Sequence, residues 1–208
     1  MLKSALSMAH SSRPAIGIAL LVALFAATPV SASQIQACFS PPLPSGCDPM
    51  ATVVRSIDGA QRTVLVQMYA LTSREIVTAL VNAKRRGIDV RAIMIGANST
   101  RTRATLTPLV ASGGVPVFVD TVLGLMHDKI MIIDGATVVT GSFNYTWSAE
   151  HKNAENLLVI HDSAVAAEYT QNWNTRAARS THLKASTSPV SVSEQTTNGQ
   201  RSQRARAR

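Results

Sequence analysis

The stretch His127–Asn144, HDKIMIIDGATVVTGSFN, decides how the rest of the chain is read. Its apolar runs flank Asp134-Gly135 and read as two strands, Met126–Ile133 and Ala136–Thr140, joined by a two-residue turn. Residues two apart on a strand share a face, so His127 and Lys129 are expected on one side and Asp128 on the other. With Asp134-Gly135 as the whole turn, Ile133 pairs with Ala136, Lys129 faces Thr140 and His127 faces Ser142. That register carries Gly141-Ser142-Phe143-Asn144 to the imidazole. A glycine lets backbone approach an anion closely, and the Ser142 hydroxyl and Asn144 amide can donate to phosphate oxygens. Lys129 supplies positive charge. The expected product is a cradle for a tetrahedral monoanion.

Two carboxylates accompany this set. Asp134 sits at the turn, away from the cradle, and reads as a structural residue of the turn, as does Gly141 of the closing strand. Glu155 precedes the next apolar run. An attacking imidazole needs one ring nitrogen held by an acceptor. Glu155 is the candidate for that role; the plain alternative is a surface carboxylate.

Working outward, strands and helices alternate. Asp48-Pro49 reads as N-cap and first turn of a helix, with Met50, Val53, Val54 and Ile57 on one face and Gly59 at its end. Thr63–Tyr69 reads as a buried strand. Thr72-Ser-Arg-Glu75 is a capping box, and the helix it opens ends at Lys84-Arg85-Arg86 before Gly87. Asp89–Ile95 is the next strand, which makes a parallel pair. A helix over Thr102–Ala111, a strand over Val115–Val119, a short helix from Tyr145 and a strand over Asn156–Ile160 follow. Asp162 or Ser163 caps a last helix with Val165, Tyr169 and Trp173 inward. The pattern is an α/β domain, a mixed sheet flanked by helices.

The ends differ from this body. Lys3 and Arg13, the apolar run Ala15–Ala27 and the small residues Thr28–Ser33 come in the order of a secretory signal, so residues 1–33 are expected to be removed on export. No span would then hold the mature chain in a membrane. Export is oxidising, which favours a disulfide between Cys38 and Cys47; free thiols and a lipid anchor at Cys38 are the other possibilities. The chain holds 20 Lys and Arg against 12 Asp and Glu. Two of those cations lie in the leader, and seven cations with one acid lie from Arg176 onward. Residues 34–175 are therefore formally neutral, with 11 charges of each sign. Residues 180–208 read as a disordered basic tail, suited either to a polyanion or to solubility. Aromatic residues make up 4 % of the chain, so base recognition by stacking is not expected and backbone contact is.

The spacing His127-x-Lys129-x4-Asp134-x6-Gly141-Ser142-x-Asn144 resembles the HKD signature of the phospholipase D superfamily. The runs GSFNYTWSAEHKNAENLLVI and NAKRRGIDVR, the start YALTS and the CFSP…GC opening are similar to its short exported bacterial endonucleases, over Cys38 to Arg179. The resemblance implies a phospholipase D-like fold, with a metal-free and cofactor-free mechanism in which one His attacks phosphorus and a second protonates the leaving oxygen. This chain has one usable HKD motif. His182-Leu183-Lys184 has Pro189 where an Asp is required, and His151-Lys152 lacks the spacing. The resemblance thus implies a homodimer with a composite site on its two-fold axis. It implies a periplasmic or extracellular nuclease acting on DNA and possibly RNA. Phospholipid head groups are the alternative substrate, and a non-catalytic nucleic-acid- or membrane-binding module is the alternative of another class. No zinc spacing, HExxH or carboxylate cluster competes.

Overall fold

The computed structural model describes residues 33–95, 106–120 and 125–183. The expected leader, most of the expected tail and the start of the expected Thr102 helix lie outside the described residues. Among the described residues eight strands form one sheet, in the order β1-β7-β6-β5-β2-β3-β4-β8. The strands are β1 Gln34–Ser40, β2 Thr63–Met68, β3 Asp89–Ile95, β4 Val117–Asp120, β5 Lys129–Ile133, β6 Thr137–Gly141, β7 Glu155–His161 and β8 Thr181–His182. β2, β3 and β4 run parallel, and the other neighbours are antiparallel. The sheet is mixed and flanked by helices.

The helices are α1 Pro49–Gly59, α2 Arg74–Arg85, α3 Thr107–Ser112, α4 Trp147–His151 and α5 Ser163–Ala177. One face of the sheet carries the large core. Val64, Val66 and Met68 of β2 and Met131 and Ile133 of β5 meet Val53 and Ile57 of α1 and Ile76 and Leu80 of α2 there. The other face carries a small core of Leu65, Ile93, Ile130, Ile132 and Val138 under Trp173 of α5. Local chemistry sets the helix starts. The Asp48 side chain accepts from Ala51 N at 2.6 Å, and Asp162 accepts from Ala164 N and Val165 N. The α2 cap is Ser73, one residue later than the capping box places it, and its side chain accepts from Ile76 N at 3.3 Å. Gly87, with φ 90°, stops α2.

Three expectations need correction. β1 is a strand that the sequence reading omits. Its large apolar side chains point outward, with Ile35 63 % and Phe39 43 % exposed, while Cys38 and Ser40 are buried. Cys38 is disulfide-bonded to Cys47 across 5.0 Å between Cα atoms. The domain also runs past residue 179. Thr181–His182 pairs with Phe118 and Val119 at the sheet edge, and Leu183 N donates to Val117 O.

The third correction concerns register. Ile133 pairs with Thr137, not Ala136, and Ile130 pairs with Thr140. Asp134 and Gly135 do take left-handed conformations, φ 54° and 67°, and Ala136 N closes the turn on Ile133 O at 3.0 Å. Ala136 is one residue extra on the β6 side. A slip of one residue changes which face meets which. Thr140 therefore shares a face with Ile130 and not with Lys129. Counting on from Ile130↔Thr140, Lys129 comes opposite Gly141.

Candidate active site

Strand register gathers the candidate residues at one end of the sheet. Lys129 opens β5 and pairs with Met68, the last residue of β2. Gly141 closes β6 beside Leu157, and Glu155 opens β7 opposite Ser40, the last residue of β1. His127 lies in the extended lead-in to β5 and is exposed. Lys129 is only 7 % exposed. Its Nζ donates to the His127 carbonyl at 2.6 Å and lies 3.2 Å from His127 Nδ1. Burial lowers the Lys129 pKa, against the opposing pull of Asp128 and Glu155. Tyr69 completes this corner. Its ring centroid lies 4.8 Å from that of His127, and Lys129 Nζ stands 5.1 Å from the same ring.

The Lys129 contact constrains the imidazole. An ammonium has no acceptor, so with Lys129 charged Nδ1 is the accepting nitrogen. A neutral ring then keeps its proton on Nε2. That form can donate a proton but cannot attack through Nε2. Attack needs Nδ1–H aimed at an acceptor.

Glu155 is not that acceptor within one chain. Its Oε2 accepts from Ser142 Oγ at 2.5 Å and its Oε1 from Asn153 Nδ2 at 2.8 Å. Ser142 Oγ also accepts from Asn156 N at 3.0 Å. The carboxylate therefore orients the serine. Gly141 serves the same junction. A Cβ there would stand 2.3 Å from Asn156 O, and φ is 151°. The space is needed because Ser142 N and Phe143 N both donate to Asn156 O, at 3.1 and 3.2 Å. Asn144 Oδ1 is buried with no hydrogen-bond partner among the described residues.

Asp134 lies at the far end of β5. Its carboxylate accepts from the backbone N–H of Gln61, Arg62 and Thr63 at 2.9, 2.7 and 2.9 Å. Partial burial opposes its ionisation, yet the three N–H donors outweigh it and hold the pKa below the ordinary aspartate value. Asp128 points to the α5 side, as its position beside His127 predicts. It accepts from Gln67 Nε2, and Arg176 Nε stands 3.8 Å away. Arg176 also bonds Asp120 at 3.0 Å. It belongs to the folded body, not to a basic tail. The signal for this polar chain is a buried glutamine, Gln67, inside the apolar run of β2. A cleft of about 410 Å³ opens beside His127 and Lys129, bounded across by Thr140, Glu168, Tyr169 and Asn172. Among the described residues, no three His, Cys, Asp or Glu side chains converge as a metal site would require.

The family description "Cardiolipin synthase, PLD-like domain" matches residues 53–176. The chain belongs to the phospholipase D superfamily. A protein named "Phospholipase D" from Rickettsia prowazekii is 38 % identical over 151 residues, which cover 73 % of this chain and 71 % of that one. The mitochondrial cardiolipin hydrolase of Xenopus laevis is 30 % identical, over 70 % of this chain and 71 % of its own. Among solved structures, a phospholipase D family member, Nuc from Salmonella typhimurium, superposes with a TM-score of 0.65 at 31 % identity, covering 74 % of this chain and 99 % of that one. The chain is thus a phosphodiesterase-type enzyme with the phospholipase D-like fold. Within that superfamily, its imidazole, buried ammonium and carboxylate-held serine share one sheet end. The Asp of the same motif sits at the other end.

Proposed function

We propose that the chain is an exported endonuclease that hydrolyses nucleic-acid phosphodiester bonds without sequence preference and without a metal. The observation that carries this reading is Lys129. A mostly buried ammonium held 3.2 Å from an exposed imidazole is costly to desolvate and suits phosphate chemistry. In the first step His127 Nε2 attacks phosphorus, a P–N bond forms and the P–O bond to the leaving group breaks. A second imidazole gives its proton to the departing oxygen. That imidazole then takes a proton from water, whose oxygen displaces His127 from phosphorus. Lys129 and Asn144 are assigned to the non-bridging oxygens, and Ser142 can join them only by turning its proton from Glu155 to the phosphate.

One motif per chain and a Nδ1 turned to Lys129 support a homodimer that supplies both the second imidazole and the missing acceptor. Sedimentation of the active enzyme is expected to give twice the chain mass. A fully active monomer at every dilution would contradict it.

Phospholipid head-group hydrolysis is the second reading, favoured by the names of the Rickettsia and Xenopus relatives and by exposed Phe39, Leu43 and Leu125. The polar lining of the cleft favours a polar polymer. Purified enzyme given plasmid DNA, RNA and phosphatidylcholine vesicles side by side in chelator decides between them. Nicked plasmid with intact lipid is expected. Lipid turnover alone would overturn the nuclease reading, and activity lost in chelator and restored by magnesium would overturn the mechanism.

A further inference from the structure

The segment from Trp147 to Asn153 is left over from the motif, yet it is the connection between Asn144 and Glu155. It must therefore stay at the site end of the sheet, and Asn153 bonds Glu155 directly. The chain has two tryptophans. Trp173 is buried and donates to Val66 O, whereas Trp147 is 52 % exposed. The fold does not need that indole. α4 is fixed by the buried Ala149, by Thr146 accepting from Ala149 N, and by Ser40 Oγ donating to Ala149 O at 2.8 Å.

The indole is nonetheless held in place. The His151 ring stacks on it at 4.8 Å between centroids and 16° between planes. Lys152 Nζ stands 5.0 Å from the ring centroid. The His151 imidazole is itself set by the Trp147 carbonyl at 3.1 Å and the Glu150 carboxylate at 3.5 Å. An exposed aromatic that is already stacked loses little entropy when a second ring joins it. The ammonium over the indole, 5.0 Å from its centroid, suits the phosphate of a nucleotide that stacks there. The neighbours Ser148, Glu150 and Asn153 are polar, which fits a flat heteroaromatic base better than an acyl chain.

We propose that Trp147, backed by His151 and Lys152, is a stacking subsite for an unpaired nucleobase at the Glu155 end of the sheet, biasing the enzyme toward single-stranded nucleic acid. The inference rests on the nuclease reading and revises the expectation that stacking plays no part. Base stacking on an aromatic is tolerant of sequence, so it agrees with nonspecific cleavage.

The test uses the full chain with His127→Ala, so that strands stay intact. Labelled oligothymidylate and an abasic strand of equal length are titrated, read by strand anisotropy and by tryptophan fluorescence. The base-bearing strand is expected to bind more tightly and to quench the fluorescence. Trp147→Ala is expected to raise its Kd by about tenfold, to the abasic value. Trp147→Phe is expected to keep most of the preference. An unchanged preference for bases in Trp147→Ala would overturn the subsite. So would equal weakening of both strands, a halved mass in sedimentation, or a loss confined to phosphatidylcholine vesicles. If the unmodified chain cleaves no nucleic acid, the nuclease reading fails and takes the subsite with it. If it cleaves DNA while Trp147→Ala behaves as wild type, the subsite alone fails.

Discussion

The two ends of β5 carry the polar residues of one motif and treat them in opposite ways. At its entry, Lys129 is buried with its pKa lowered by desolvation, beside an exposed His127. At its exit, Asp134 takes three backbone N–H donors and has its pKa lowered because the anion is well satisfied. The first end holds its charge at the expense of stability, and the second gains stability from its charge. Residues joined by spacing in a sequence motif need not share a site. Here four apolar positions of β5, Ile130 to Ile133, separate chemistry from architecture.

Substitution should separate the two ends cleanly. His127→Ala is expected to lower turnover on plasmid DNA by at least roughly 10³-fold, as loss of a nucleophile does. Because His127 is exposed, its unfolding free energy should stay within about 0.5 kcal/mol of wild type. Lys129→Met keeps the buried stem and removes the desolvated ammonium. It is expected to lose roughly 10²–10³ in turnover while stability holds or rises. A Lys129→Met enzyme that unfolds more easily would show that this end also serves the fold, and the contrast would be lost.

Gly141 lies near the chemistry but belongs with Asp134 in kind. Its Cβ space is filled by Asn156 O, and that backbone contact fixes where Ser142 points. Gly141→Ala is expected to destabilise by about 3 kcal/mol, since both the contact and the positive φ oppose a side chain. Chemical denaturation of the variant checks it. Wild-type stability with lost activity would return Gly141 to the role of an anion cradle.

The sequence carried the elements whose signals are local. Asp48, Asp162 and Gly87 mark helix ends where they were read, and the apolar runs of β2, β3 and β5 gave strands near their observed bounds. Three features were not legible because they depend on what lies across the chain. β1 turns Ile35 and Phe39 outward, so burial inverts the pattern that identifies a half-buried strand. The extra Ala136 shifts the β5–β6 register, and no local residue announces it. The pairing of Thr181–His182 with β4 extends the sheet past the point where the composition turns polar. At the site, His127 and Lys129 were legible from their spacing. The partner of Glu155 was not, because Ser142 reaches it only through the Gly141–Asn156 contact. Tyr69 gave no signal beyond ending a buried run.

The smallest expected effect tests the far end of β5. Asp134→Asn keeps the size of the side chain and removes the negative charge from three N–H donors. At neutral pH it should cost about 1.5–2 kcal/mol of stability, the scale of hydrogen bonds to a charged acceptor, with turnover of the folded enzyme unchanged. The pH dependence follows from the direction of the shift. The folded-state pKa of Asp134 lies below its unfolded value of about 3.9, so its contribution is complete above that value and is lost as pH falls through the folded pKa. The stability gap between wild type and Asp134→Asn should therefore stay flat from about pH 8 to pH 5 and close below about pH 4. Urea unfolding of both proteins at a series of pH values measures the gap. A gap that persists unchanged into strong acid would mean that the second acceptor oxygen of Asp134, which Asn lacks, stabilises this end and that the carboxylate charge does not.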